Sequence, residues 1–217
     1  LFPHLAQMRQ ASRLCAAQAM LDAKDGKAWA AVDWLGVCYR MANQVGREPT
    51  LVAQLVEFAM LAITNKSALA ICDVVPLTPE LAAALRNHFD PLPVSAHFQR
   101  ALLGERALGL DSFRMIESGA LSTSAVGELM GGNSSLASLL PDLPTGLLRP
   151  YWKLEKLNYL QYMARALERS QEPYRLTASQ SEAVSPGSGR LMSAMLVPVF
   201  GRINSKRDQA LAELDLL

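Results

Sequence analysis

The stretch "LVAQLVEFAMLAI", residues 51–63, decides the fold class of this 217-residue chain. Its apolar residues recur every three or four positions, which is the spacing of one face of an α-helix. Gln54 and Glu57 interrupt the run, and the run is too short to cross a bilayer. We therefore expect a helix in a globular core, with no membrane-spanning segment in this part of the chain.

The helix that contains this run is predicted to start near Pro49 and to end near Ile71, because proline suits a first helical position. The amides Gln54 and Asn65 flank its apolar side and are expected to hydrogen-bond to neighbouring helices. The side chains expected to face the core are Leu51, Leu55, Phe58, Ala62 and Leu69.

Two helices are predicted before this one, over 4–24 and 27–45, with tight turns at Asp25-Gly26 and after Gly46. Short turns between long helices are typical of antiparallel hairpins and α-solenoids. Farther along the chain, helical periodicity predicts helices over 79–89, 96–117, 122–132, 150–169 and 190–217. The sequence therefore predicts an all-α fold of antiparallel helical hairpins, loosely solenoid-like or tetratricopeptide-like.

One domain is expected to span residues 1–217, since this length suits a single helical core. Prolines and a glycine in 133–149 indicate a possible sub-boundary, and residues 170–189 are predicted to form a long loop.

Composition excludes several classes of function. Apolar residues make up 50% and charged residues 19%, and the formal charge is +1, which gives no electrostatic basis for nucleic-acid binding. The three cysteines and three histidines show no CxxC, HxxxH or HxxE spacing, so we expect neither a metal site nor a disulfide framework. No cofactor is predicted.

The segment "AQAMLDAKDGKAWAAVDWLGVCYRMANQVGREPTLVAQLVEFAMLA" (17–62) and the later "GER" at 104–106 resemble uncharacterised all-helical proteins of bacterial genomes. Their helix–turn–helix unit is similar to a tetratricopeptide hairpin, although the Trp, Gly and Tyr spacing of that repeat is not met here. The resemblance covers roughly residues 10–70 and 98–112. It implies a helical-hairpin fold and a location outside the cytoplasm, in the bacterial envelope.

The stretch "LLGERALGLDSF" (102–113) places Glu105 on the apolar side of its helix, with Leu102, Gly109 and Phe113. A buried carboxylate must be paired, hydrogen-bonded or protonated. Two interpretations follow. Glu105 forms a structural ion pair with a cation of another helix, or it is a general acid of raised pKa. The candidate cations are Arg13, Arg40 and Lys66.

Two polar or aromatic stripes are candidate binding surfaces. The second helix carries Asp33 and Arg40 on a narrow polar side, which is either a solvated face or the lining of a groove. The helix predicted over 150–169 holds the aromatic concentration of the chain, which suits either ligand recognition or packing between two helices. Its stripe consists of Tyr151, Trp152, Glu155, Tyr159 and Tyr162.

These features favour a non-enzymatic interaction or scaffold protein that binds a protein or peptide partner. One alternative is a helical hydrolase that acts on a glycan or peptide with Glu105 as the acid. Another is a binder of an apolar small molecule in a cavity between helices.

Overall fold

The computed structural model describes residues 2–88, 93–120, 149–171, 203 and 205–212. Every regular element within these ranges is a helix, which confirms the all-α prediction. The helices are α1 (Pro3–Lys24), α2 (Ala28–Gly46), α3 (Leu51–Cys72), α4 (Pro79–His88), α5 (Val94–Glu117) and α6 (Arg149–Gln171), followed by a C-terminal helical segment over 205–212.

The turns between the first three helices follow from local sequence. Gly26 has a φ of 77°, a left-handed conformation that glycine adopts without steric cost, and it reverses the chain between α1 and α2. Thr50 begins α3 as its N-cap, since its side-chain oxygen accepts a hydrogen bond from the Ala53 N–H at 3.2 Å.

Helices α1, α2 and α3 pack on one another, and α2 runs antiparallel to both α1 and α3. The Cys38 thiol of α2 donates to the Ser12 carbonyl of α1 at 3.6 Å. The Tyr39 hydroxyl donates to the side-chain oxygen of Asn65 in α3, and the Gln54 amide donates to the Gly46 carbonyl at 2.9 Å. The prediction that both α3 amides bond to neighbouring helices is therefore confirmed.

Helices α5 and α6 form a second antiparallel pair, and α5 packs on α3. Lys156 lies 3.5 Å from Glu117, and the ring of Tyr159 lies 5.8 Å from that of Phe113. The main apolar core joins this pair to one end of the three-helix bundle, while a smaller core joins α4 to the other end.

The buried face of α3 differs from the predicted one. Leu51 and Phe58 are buried as expected, but Ala62 is exposed, and Leu55 and Leu69 are 39% and 52% exposed. The face that enters the bundle is turned by roughly 110° around the helix axis. Its buried side chains include Gln54, Glu57, Leu61, Thr64, Asn65, Ala68 and Ile71.

Within the described ranges, one helix is long and apolar enough to cross a membrane. It is α3, with 22 residues and a mean hydropathy of 1.5 in its most apolar window. The short run 51–63 suggested that this segment cannot cross a bilayer. The whole helix is longer than that run, so its length alone does not exclude a membrane span. A central helix of a globular core has the same composition, and 44% of this window is buried inside the fold. No clear membrane span follows.

The helix predicted over 122–132 lies outside the described residues, as do nearly all of 133–149 and of the loop 170–189.

We expect Gly104→Ala to destabilise the packing of α5 on the α2–α3 turn. A β-carbon at this position would lie 1.9 Å from the Pro49 carbonyl oxygen, so one backbone would have to move. Overpacking of this kind costs about 1–3 kcal/mol, measured as the free energy of unfolding in urea. Leu103→Ala, at a half-exposed neighbouring position, is the control and is expected to change this free energy by less than about 0.5 kcal/mol. An equal free energy of unfolding in the two variants would contradict the close approach of α5 to the Pro49 carbonyl.

Candidate functional site

The Glu105 carboxylate lies at the N-terminus of α3. Its Oε1 accepts a hydrogen bond from the backbone N–H of Leu51 at 3.0 Å. Leu51 is the first residue of α3, so this N–H has no acceptor within the helix. The positive end of the helix dipole favours a carboxylate at this position. Glu105 therefore caps a helix that is distant from it in sequence.

This partner differs from the cation that the sequence suggested. Arg13, Arg40 and Lys66 are exposed, and none of them forms an ion pair with Glu105 in the part of the chain that the structure describes. A helical wheel shows which side a residue faces, but not which end of a neighbouring helix it meets.

The aromatic stripe of α6 lies in the core. Trp152, Glu155 and Tyr159 are each 2% exposed. The Tyr159 hydroxyl donates to the Glu105 carbonyl at 2.7 Å, and burial raises the pKa of this hydroxyl. The ring fits against Gly109, where a β-carbon would lie 2.3 Å from the hydroxyl oxygen. Tyr159 therefore packs α6 against α5, and Trp152 and Glu155 are buried with it.

Tyr151 and Tyr162, at the margins of the same stripe, are half-buried against the main core.

The polar stripe of α2 is partly covered by α4. The ring of His88 lies against Gly36, and its Nε2 is 3.8 Å from the carboxylate of Asp33. Asp33 and Arg40 remain exposed. The two residues face solvent on the outside of the bundle.

A buried pair of titratable groups joins α3 to α5. The Glu57 side chain is fully buried, and its Oε1 lies 2.8 Å from Nδ1 of His97, whose side chain is 4% exposed. The carboxyl group packs over Gly46, where a β-carbon would lie 2.3 Å from it. Three helices thus meet at one carboxylate.

Burial raises the pKa of the Glu57 carboxyl group, because a low-dielectric environment disfavours its charged form. The hydrogen bond and the charge of His97 oppose that rise. In the sequence, Glu57 interrupts an apolar run, and His97 belongs to no HxxxH or HxxE pattern. The available signal was the spacing of Gln54, Glu57 and Asn65, which places three polar side chains on one side of α3.

A second buried charge holds the C-terminal segment. Arg207 is 2% exposed, and its guanidinium lies 5.3 Å from the ring centroid of Phe98 in α5. It donates to the Asp208 carboxylate at 2.7 and 2.9 Å and to the Ser170 carbonyl of α6 at 3.4 Å. The segment is therefore fixed in place against α5 and α6, where it borders α3.

The side of α3 that faces away from the bundle is also apolar. We call its residues the outer row: Val52, Leu55, Ala59, Ala62, Lys66 and Leu69. Val52 is 46% exposed, and Leu55 and Leu69 are exposed to a similar extent. A helix that is apolar on every side is normally buried on every side.

A groove of about 270 Å³ lies between the outer row and the C-terminal segment. Leu55, Phe58 and Ala62 line it from α3, and Lys206 and Ala210 from the segment. The Lys206 ammonium donates to the side-chain oxygen of Gln209 at 3.1 Å. The groove therefore combines an apolar floor with a cationic edge.

Comparisons with protein-family models, with characterised proteins and with solved structures find no match for this chain. The resemblance to helical bacterial proteins stays a prediction.

Removal of the Glu105 cap is expected to destabilise the protein. Glu105→Ala leaves the Leu51 N–H without its acceptor and lowers the free energy of unfolding by about 1–2 kcal/mol. Glu105→Gln keeps an acceptor but loses the charge at the helix terminus, which costs about 0.5–1 kcal/mol. Urea unfolding measures both, and Asp111→Ala, at an exposed position of α5, is the control. A Glu105→Ala protein as stable as the native one would refute the capping role.

The buried Glu57 predicts a specific dependence of stability on pH. Its folded pKa is higher than the ordinary value of 4.5. The stability that it contributes is therefore complete below pH 4.5 and is lost as pH rises through the folded pKa. Glu57→Gln removes this titration and keeps an acceptor for His97. Relative to the native protein, the free energy of unfolding of this variant is expected to rise by about 1–2 kcal/mol as the pH increases above 4.5.

The matched control is Glu48→Gln, which makes the same change in an exposed pair, since Glu48 lies 2.9 Å from His4. Here the free energy of unfolding is expected to change by less than about 0.5 kcal/mol at every pH. Urea unfolding across this pH range compares the two variants. A gap between native protein and Glu57→Gln that stays constant with pH would contradict the raised pKa.

Proposed function

We propose that this chain is a non-enzymatic interaction protein that binds a protein partner through the outer row of α3. The observation that carries the proposal is the second apolar side of α3. One side is already buried by α1, α2 and α5, and within the described ranges no outer-row residue belongs to either apolar core. Apolar rows that a monomer leaves exposed are typical of interaction sites.

The position of Glu105 supports the non-enzymatic part of the proposal. A general acid needs an accessible carboxyl group beside the reacting bond. Oε1 of Glu105 is instead occupied by the N–H of Leu51, and the Tyr159 hydroxyl is held by the Glu105 carbonyl. Both groups are thus explained by helix packing.

The proposal extends to architecture and location. The helices α1 and α2 form an antiparallel hairpin, and α5 and α6 lie antiparallel to each other. We propose that they belong to a loosely solenoid-like arrangement that displays α3 at its surface. We further propose that the protein acts in the bacterial envelope, the location that the sequence resemblance implies.

Site-specific photo-crosslinking in the cells that produce the protein tests the outer row. A benzophenone side chain at Ala62 or Leu69 is expected to give a covalent adduct with one discrete protein, identified by mass spectrometry. The same group at Arg40 tests the exposed stripe of α2, and at Arg114 it reports background from an exposed position of α5. Adducts at Arg40 without adducts at Ala62 and Leu69 would move the interaction surface to α2. No adduct at any position would overturn the proposal.

A further inference from the structure

The outer row has the spacing of a coiled-coil seam. Its six positions, from Val52 to Leu69, follow one another at intervals of three, four, three, four and three residues. This is the a and d pattern of the heptad repeat, which keeps one line of side chains facing a partner helix. Ala59 and Ala62 occupy the middle of the row, where small side chains allow the axis of a second helix to come close.

Positive charge borders this seam. Lys66 occupies one a position of the outer row, and Lys206 lines the groove beside Leu55. Neither ammonium forms an ion pair with a carboxylate in the described ranges, and Gln209, the acceptor of Lys206, is neutral. The outer row itself contains no acidic residue. An occupant with carboxylates along the edge of its apolar face would complement both charges.

We infer that the outer row and the adjoining groove bind an amphipathic helix of another protein, whose apolar face is flanked by Asp or Glu. This inference rests on the proposed function and names the chemistry of the partner. The helix lies along α3 with its a and d side chains on the outer row. One of its large apolar residues enters the groove above Phe58, and its acidic residues face Lys66 and Lys206.

A second copy of the chain fits this seam less well. An antiparallel pair centred on Ala59 and Ala62 would place Lys66 of one copy opposite Leu55 of the other. Lys206 borders the groove at Leu55, so the two ammonium groups would meet. Like charges brought together in this way oppose association. We therefore expect the protein alone not to self-associate through this surface.

The experiment uses two fluorescein-labelled synthetic peptides of three heptads. Both carry Leu at a and d, one has Glu at e and g, and the other has Lys there. Fluorescence anisotropy with the whole chain measures their dissociation constants. The Glu-flanked peptide is expected to bind at least about tenfold more tightly at physiological salt, and the difference shrinks at high salt. The double variant Lys66→Glu, Lys206→Glu is expected to prefer the Lys-flanked peptide.

Ala62→Glu is expected to abolish binding of the Glu-flanked peptide. The control is Arg114→Glu, which is expected to leave this binding unchanged, because Arg114 is exposed on α5 and far from the outer row in sequence. Far-UV circular dichroism and thermal unfolding test whether each variant is folded. The substitutions Lys66→Glu and Lys206→Glu change only exposed residues.

The possible results separate the inference from the proposed function. Equal binding of both peptides, or a preference that the double variant does not reverse, overturns the acidic partner and leaves the outer row as an apolar interaction surface. If the native protein binds neither peptide, the inference of a helical partner is wrong. The photo-crosslinks test independently whether the outer row is an interaction surface. Sedimentation velocity that shows a dimer, lost in Ala62→Glu, would identify a second copy as the occupant and overturn the inference.

Discussion

A buried carboxylate is the constraint on which the arrangement of these helices depends. Glu57 lies entirely inside the protein, and an ion without a partner there would be strongly destabilising. His97 brings a ring nitrogen to it from α5, and Gly46 leaves room for it at the end of α2. One side chain thereby relates three helices. The antiparallel course of α5 along α3 then carries Glu105 to the N-terminus of α3, where it meets the N–H of Leu51.

The helices and the antiparallel order of the first three are predictable from sequence, because the short turns at Asp25-Gly26 and after Gly46 return each helix along the previous one. The buried face of α3 is not. Apolar residues surround this helix, so periodicity gives no preference between Leu55, which is half-exposed, and Leu61, which is buried. The buried face of α3 is determined instead by its polar side chains. Glu57 and Asn65 need partners, and those partners come from α5 and α2.

In the candidate site, too, periodicity predicts which side a residue faces but not what it contacts. Helical periodicity places Glu105 on the inward side of α5, and its carboxylate does meet α3. For Tyr159 periodicity leaves ligand binding and helix packing open. What they meet depends on how helices far apart in sequence are aligned. Glu105 meets a helix terminus, and Tyr159 meets the space above Gly109. The heptad spacing of the outer row can be seen in the sequence alone. It becomes informative only once the opposite side of α3 is known to satisfy the core.

Lys66 has a further consequence, for solubility. The outer row would otherwise be an uninterrupted apolar line along five turns of helix, open to any unfolded or nascent chain that it encounters. A charged residue within such a line acts as a gatekeeper, because desolvation of an ammonium group opposes indiscriminate association. If the outer row binds the proposed partner, the same charge would also limit association of the free protein with other exposed apolar chains.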